Sequence, residues 1–235
     1  MDRSEKIVFE YFSSQGFCDV VYEPDGNIPP DFLIDGRIAV EVRRLNQNKE
    51  TPNGHRGLET VAIPLQAKVR ALLKTLGPSN GDSWFVMYRI RRPLPPWSQL
   101  SSMLRSELAD FYNNSNNNNN DSTITISPKF CVTLIKTSKP HSDLFVLGGF
   151  ADSDSGGFIL AELSRNIKIC VTEKTRKIEC VRSKYPEWWL VLVDHIGYGI
   201  DKRDYEELRQ LFQFEHSWDK IVLVNPLNAK QGYEL

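Results

Sequence analysis

The chain has 235 residues, of which 40% are hydrophobic, and a formal net charge of −1 at pH 7. This length fits one domain, or one domain with a large insertion, and the apolar content is enough to build a full core. The near-zero net charge excludes a global attraction to nucleic acid or to membranes, so a DNA-binding role would need a local basic surface.

Cysteines and apolar runs bear on the cellular compartment. The four cysteines are scattered and include no CxxC pair, which argues against a disulfide framework or a structural zinc site. The N-terminal sequence lacks a signal-peptide pattern, and no apolar run approaches the ~18 residues of a membrane-spanning helix. We therefore expect a cytoplasmic protein with no membrane segment.

Apolar periodicity and turn residues predict elements along the whole chain. The N-terminal part is predicted to form a helix at 5–14, a strand at 18–22 and a β-hairpin at 31–43. The middle part is predicted to form a polar loop at 46–57, helices at about 64–77 and 98–112, an asparagine-rich loop at 113–121, and strands at 84–90, 123–127, 130–135 and 143–147. The C-terminal part is predicted to form a long helix at 158–182, a strand at 188–193, a helix at 202–212 and a last strand at 220–224.

The hairpin at 31–43 holds the most informative pattern. A two-residue turn at Asp35-Gly36 would split its large apolar residues between the two faces of the strands. A three-residue loop over Ile34, Asp35 and Gly36, with Gly36 left-handed, puts them all on one face. These apolar residues are Phe32, Ile34, Ile38, Val40 and Val42. Because burial of one consistent face is favoured, we predict the three-residue loop, which places Asp31 and Glu41 together on the opposite face.

In this arrangement Asp31 and Glu41 are diagonal neighbours, roughly 7–8 Å apart at the backbone. Two carboxylates that converge at one end of a hairpin, followed by the basic residue Arg43, suit a hard divalent cation. Arg37 and Arg44 of the hairpin are candidate contacts to a nucleic-acid backbone. Further candidates for a basic surface are Arg89, Arg91 and Arg92.

The pair Pro30-Asp31, followed ten residues later by Glu41-Val42-Arg43, resembles the core motif of the PD-(D/E)XK nuclease superfamily, which has the restriction-endonuclease-like fold. The element order in 1–45 and 158–226 is similar to the αβββαβ core of that fold. The resemblance implies an α/β protein with a mixed central sheet flanked by helices, a nuclease-like core in 1–45 and 158–235, and an inserted α+β element in 46–157.

The resemblance also implies roles for individual residues. Asp31 and Glu41 would bind Mg²⁺ or Mn²⁺, with the carbonyl of Val42 as a further ligand and Glu10, on the first helix, completing the metal site. Arg43 stands where the family usually has lysine, and arginine can hold a phosphate but effectively cannot lose its proton to act as a base. The implied partner is nucleic acid, DNA in the first place, and a homodimer is an open alternative.

The long helix predicted at 158–182 has an apolar stripe with one gap, which Lys174 occupies. The stripe consists of Leu160, Leu163, Ile167, Val171, Ile178 and Val181. A lysine within a core-facing stripe is costly unless it is paired, although it can also extend its ammonium into water. Some members of the resembling family carry the active-site lysine on this helix, so Lys174 is our candidate to replace the missing strand lysine. Lys168 and Lys177 lie off the stripe and are expected to be solvated.

Two functions remain open at this stage. The first is metal-dependent hydrolysis of nucleic-acid phosphodiesters, and the alternative is a catalytically inactive nuclease-like module for binding or assembly. A Lys174 ammonium within about 6 Å of both carboxylates would favour the nuclease. A solvated Lys174, together with an ion pair between Arg43 and Glu41, would favour the module.

Overall fold

Most elements form where the apolar periodicity predicts a helix or a strand. The computed structural model describes residues 1–52, 54–114 and 121–235. The helices are α1 (Arg3–Ser14), α2 (Glu59–Lys74), α3 (Trp97–Asn114), α4 (Ile159–Ile178) and α5 (Lys202–Leu211). The strands are β1 (Val20–Tyr22), β2 (Phe32–Ile34), β3 (Ile38–Leu45), β4 (Asn48–Thr51), β5 (Gly54–Gly57), β6 (Trp84–Ile90), β7 (Ser122–Ser127), β8 (Phe130–Lys136), β9 (Phe145–Asp152), β10 (Glu187–Asp194), β11 (Lys220–Val224) and β12 (Gly232–Glu234). The predicted α/β class, with mixed sheets flanked by helices, is confirmed.

The chain divides into two units, Met1–Gly57 with Gly157–Leu235, and Leu58–Gly156. In the first unit, the described residues form a six-stranded sheet in the order β1-β2-β3-β10-β11-β12. The neighbours β1, β2 and β3 are antiparallel, whereas β10 runs parallel to both β3 and β11. The hairpin formed by β4 and β5 belongs to the same unit.

Helices cover both faces of this sheet. Val8 and Phe12 of α1 pack on one face, against alternate strand residues such as Val40 and Val191. The helices α4 and α5 pack on the other face, against the remaining strand residues, of which Leu190 is one. Burial on both faces explains why β10 has a continuous apolar run instead of an alternating one.

The turn between β2 and β3 determines which side chains reach each face. Ile34 pairs with Ile38, so the loop consists of Asp35, Gly36 and Arg37. The predicted loop, one residue earlier, is wrong in position because the buried, β-branched Ile34 stays in the strand while Asp35 and Gly36 take positive φ values of 49° and 63°. Both loops have three residues and the same parity, so the expected apolar set does pack on the single face beneath α1.

The second unit packs α2 and α3 against one face of a four-stranded sheet, which has the order β7-β8-β6-β9. The sheet is mixed, because β6 pairs antiparallel with β8 and parallel with β9. Trp84, Val86 and Tyr88 of β6 face the helices and are buried. Met87 and Arg89 alternate with them and are exposed on the other face.

Several predicted boundaries are wrong. Of the loop predicted at 46–57, residues 48–51 and 54–57 form β4 and β5 instead. The start of β4 is fixed by Asn48, whose backbone and side-chain amides both donate to Oδ1 of buried Asn166. The helix expected to begin at Pro64 begins at Glu59, where burial of Ala62 adds apolar contacts ahead of the proline. The long helix ends at Ile178 and continues as a 3-10 helix over Glu179–Lys184. The asparagine-rich loop predicted at 113–121 is helical at 113–114, and 115–120 lie outside the described residues.

We predict that Gly36→Ala lowers the free energy of unfolding by about 1–2 kcal/mol, the usual cost of left-handed backbone in a residue with a Cβ atom. A Cβ on Gly36 would meet nothing within 4 Å, so the loss would come from the backbone alone. Asp35→Gly, at the neighbouring positive φ, is the control and should lose much less. Urea unfolding followed by circular dichroism measures both, and an unchanged stability of Gly36→Ala would contradict the turn.

Candidate active site

Asp31 and Glu41 lie on the hairpin face that α4 covers. Asp31 directly precedes β2, where its amide donates to the carbonyl of Val40 at 2.9 Å. One carboxylate oxygen of Asp31 accepts a hydrogen bond from the amide of Val42 at 2.7 Å. The Asp31 side chain thus binds the β3 amide that lies beyond the end of β2, and this bond fixes the carboxylate beside β3.

Glu41 lies in the middle of β3, next to Leu190 of the parallel strand β10, and its side chain is 0% exposed. The structure brings Lys174 of α4 to both carboxylates. Its Nζ is 2.5 Å from Oε2 of Glu41 and 3.8 Å from Oδ2 of Asp31. The Lys174 side chain is only 12% exposed, so the lysine is paired with the carboxylates and does not extend into solvent.

Lys177, which lies off the apolar stripe, is exposed as expected, but it also contacts the site. Its Nζ lies 3.1 Å from Oε2 and 3.4 Å from Oε1 of Glu41, while 46% of its side chain remains exposed. Lys177 follows Lys174 by three residues, and residues three apart on a helix lie side by side. That spacing was the signal that could have identified it.

Arg43 lies on the same face of β3 as Glu41, but it binds a different acid. Its Nη1 is 2.6 Å from Oε2 of Glu173 on α4. The guanidinium also lies near Cys170, whose pKa burial raises to about 11 while Arg43 acts to lower it. Cys170 therefore stays a neutral thiol at physiological pH and is no candidate nucleophile.

The described ionisable groups of the site balance in formal charge. The acids Asp31, Glu41 and Glu173 face the bases Arg43, Lys174 and Lys177. Burial raises the pKa of Asp31, and Glu41 adds to this, although Lys174 and the Val42 amide act in the opposite direction. For Lys177, burial acts to lower the pKa, but the Glu41 carboxylate outweighs it and the net pKa is raised.

Carboxylate oxygens are hard ligands of the kind that Mg²⁺ and Mn²⁺ prefer, and Mg²⁺ commonly uses only one or two of them while it keeps several waters. Asp31 and Glu41 fit that requirement, because one ammonium contacts both. Among the described residues, no group of three His, Cys, Asp or Glu side chains is placed to hold a metal. Glu10 is exposed on α1 and adds no third carboxylate.

Arg37 and Arg44 do not join the carboxylates. Arg37, in the hairpin loop, forms an ion pair with Glu187, at 2.8 Å. Arg44 alternates with Arg43 along β3, so it faces the opposite side of the sheet. There, burial lowers the pKa of His195 to about 4, and the charge of Arg44 adds to this effect.

Comparisons with protein-family models, with curated proteins and with solved structures found no match to this chain. Across the described residues, no helix is long and apolar enough to cross a membrane.

We predict that Lys174→Met costs about 3 kcal/mol, the lower end of the range for breaking a buried ion pair, because Lys177 still contacts Glu41. Lys177→Met is the matched control on the same helix. It should cost at most about 1 kcal/mol, since the side chain of Lys177 is nearly half exposed. Urea unfolding in EDTA measures both variants, and equal losses would contradict a special role of Lys174 in neutralising Glu41.

A second prediction concerns Asp31 and pH. Because burial raises the pKa of Asp31 in the folded protein, this group stabilises the fold when protonated, and the contribution is lost as the pH rises through the folded pKa. Asp31→Asn keeps an oxygen for the Val42 amide and cannot ionise. In EDTA the variant should therefore gain stability relative to the wild type as the pH rises from about 4, the ordinary pKa of an aspartate, through the raised folded pKa. Unfolding titrations across that range would show a constant difference if Asp31 were unperturbed.

Proposed function

We propose that the protein is a metal-dependent nuclease of the PD-(D/E)XK type, which hydrolyses nucleic-acid phosphodiesters with Mg²⁺ or Mn²⁺ and takes DNA as its first candidate substrate. The observation that carries the proposal is the contact of one lysine, Lys174, with both carboxylates of the hairpin. This lysine comes from α4, far away in sequence, and in the proposal it takes the role of the strand lysine that Arg43 replaces. Perturbed ionisable groups that converge in this way are typical of functional sites.

The order of elements supports the same proposal. The helix α1 is followed by the antiparallel strands β1, β2 and β3, and then, after the second unit, by α4 and the strand β10, parallel to β3. This order is similar to the αβββαβ core of the restriction-endonuclease-like fold. We therefore propose that fold for the first unit, with the second unit as an insertion between β3 and α4.

Asp31 and Glu41 would hold the divalent ion, and the carbonyl of Val42 would be a further ligand. When bound, such an ion supplies a water of lowered pKa and neutralises charge on the phosphate. Lys174 holds an ammonium beside both carboxylates, where it can donate hydrogen bonds to a phosphate oxygen or orient the attacking water. Arg43, held by Glu173, offers a fixed positive charge for the phosphate but no base, because a guanidinium keeps its proton.

A second candidate function is a nuclease-like module without catalysis. The observation that favours it is the bonding of Glu41, which is completely buried and contacts the ammonium groups of both Lys174 and Lys177. Such a cluster is electrostatically satisfied with no metal, and a module that only binds or assembles would need nothing more. In that case the acidic pair would serve the packing of α4 on β3.

Cleavage assays on plasmid, single-stranded DNA and RNA, each with Mg²⁺ and with Mn²⁺, separate the two candidates. We expect Asp31→Ala, Glu41→Gln and Lys174→Ala each to lose activity by about 100-fold or more, as is usual when a group that stabilises the transition state is removed. The control is Lys168→Ala, because Lys168 is an exposed lysine of the same helix that lies over the ring of Phe214. It should retain the wild-type rate.

Calorimetric titration with Mn²⁺ gives an independent readout. The wild type and Lys168→Ala should bind the metal, and Asp31→Ala should not. If the wild type binds no metal and cuts no substrate, the nuclease proposal is refuted and the non-catalytic module remains. Cutting that persists in both Asp31→Ala and Glu41→Gln would assign the activity to another site or to a contaminant.

A further inference from the structure

The open face of the four-stranded sheet in the second unit is a surface for which the proposed active site has no use. The helices α2 and α3 occupy the other face. Met87 is 37% exposed on the open face, and Arg89, Thr123 and Thr125 are exposed there as well. Two depressions of about 310 and 290 Å³ share Arg89 and Cys131 of this face, and the second extends to the β7–β8 turn at Pro128 and Lys129.

The charged side chains that line these two depressions are all basic. They belong to Arg89, Arg91 and Lys129, and no acidic residue lines either depression. The amide of Arg91 donates to the carbonyl of Lys129 at 2.9 Å, and Arg89 pairs with Cys131. The three cations therefore meet at the same end of β6 and β8, and the described residues give none of them an ion pair.

Arg92, the next basic residue along the chain, is paired with two nearby acids. Its guanidinium donates to Asp152 at 2.7 Å, to Asp154 at 3.1 Å and to the carbonyl of Leu58 at 2.7 Å. The Arg92 side chain is 11% exposed, so this cluster is structural. The two aspartates thus have a partner of their own, and the positive charge of the open face is not offset by them.

The centre of the open face is apolar and carries Phe85 and Met87 of β6. A Cβ on Gly148 would lie 2.7 Å from Sδ of Met87 and 3.1 Å from Cβ of Phe85, so the missing side chain lets Met87 lie across the neighbouring strand. The register shift between β6 and β9 falls at this point. On the other side of Met87, the hydroxyls of Thr123 and Thr133 lie 3.1 Å apart. An apolar surface with hydroxyls at one side and cations at one end can accept planar rings joined by a charged backbone.

We propose that this sheet face binds single-stranded nucleic acid, with phosphates at Arg89, Arg91 and Lys129 and bases over Met87 and Phe85. The inference rests on the proposed function for its choice of a nucleic acid as the polyanion. Single strands fit better than a duplex, because a duplex keeps its bases stacked inside and is read by elements that enter its grooves. A second copy of the chain fits poorly, since a two-fold pairing brings the same acid-free lining from both copies and leaves the three cations without an acidic partner.

Fluorescence anisotropy with a labelled 20-nucleotide oligo-dT, in EDTA, tests the proposal on the full chain without cleavage. The triple variant Arg89→Gln, Arg91→Gln and Lys129→Gln should bind at least about tenfold more weakly at 50 mM salt. Its plot of log affinity against log salt should be less steep by about 2, or ~0.7 for each lost phosphate contact. Parallel measurements with an oligo-U strand and with a 20-base-pair duplex identify the preferred polymer.

The matched control removes three exposed charges from α2, with Lys68→Gln, Arg70→Gln and Lys74→Gln. It has the same net charge as the first triple variant and should bind like the wild type. Equal weakening in both triples, or tighter binding of the duplex than of either single strand, would overturn the proposal. So would the absence of binding by the wild type. If the first triple variant melts early, Arg91→Gln and Lys129→Gln are tested singly, and each should weaken binding about threefold.

Sedimentation of the wild type and of the first triple variant tests the other candidate occupant, a second copy of the chain. A dimer that becomes tighter when the three cations are neutralised would assign the face to a second copy and overturn the proposal. Because binding is measured in EDTA, failure of the nuclease assay leaves this result intact. Conversely, if the triple variant cuts at the wild-type rate and binds with unchanged affinity, only the proposed binding site on the sheet face is refuted.

Discussion

The burial of one negative charge, that of Glu41, is the constraint on which the first unit depends. Glu41 lies on a central strand with its side chain 0% exposed, and an unpaired carboxylate in such a place is strongly destabilising. The helix α4 must therefore pack on β3 in a position that brings ammonium groups next to the Glu41 carboxylate. Lys174 and Lys177 meet that requirement from adjacent positions of the helix, so the packing of α4 and the chemistry of the site are set together.

The same constraint explains why a site of this kind is costly to keep. Replacing a buried ion cluster with apolar residues of similar volume is often neutral or stabilising, so stability alone gives little reason to retain one. Asp31 adds to the cost, because burial raises its pKa and its ionised form is disfavoured. Arg43 and Glu173 add a further pair beside it. A cluster that the fold does not need for stability is better explained by a task that requires charge, which is the reason to expect chemistry or binding here.

The sequence predicts which residues of this unit lie on each face of the sheet better than it predicts the loops. The sharing of one face by the hairpin's apolar residues follows from a single rule, the burial of that face. The gap in the helical stripe predicts that Lys174 needs a partner, and Glu41 is that partner in the structure. The predicted loop begins one residue too early, because two three-residue loops that differ by one position bury the same apolar face. Lys177 was missed because a stripe shows which residues point to the core, whereas a long side chain at the edge of the stripe can reach a buried charge. The hairpin β4–β5 was missed because its buried partner, Asn166, lies far away in sequence.

Net charge is a poor guide to binding in a chain of this kind, because some of its cations are held in ion pairs and others are not. Within the first unit, Arg37, Arg43, Lys174 and Lys177 each contact an acid, and in the second unit Arg92 does the same. Composition counts these residues equally with Arg89, Arg91 and Lys129, which line an exposed surface without acids. A polyanion responds to the local field of the unpaired cations and not to the sum over the chain. A net charge near zero is thus compatible with a nucleic-acid surface, provided that cations gather where no acid lines the same surface.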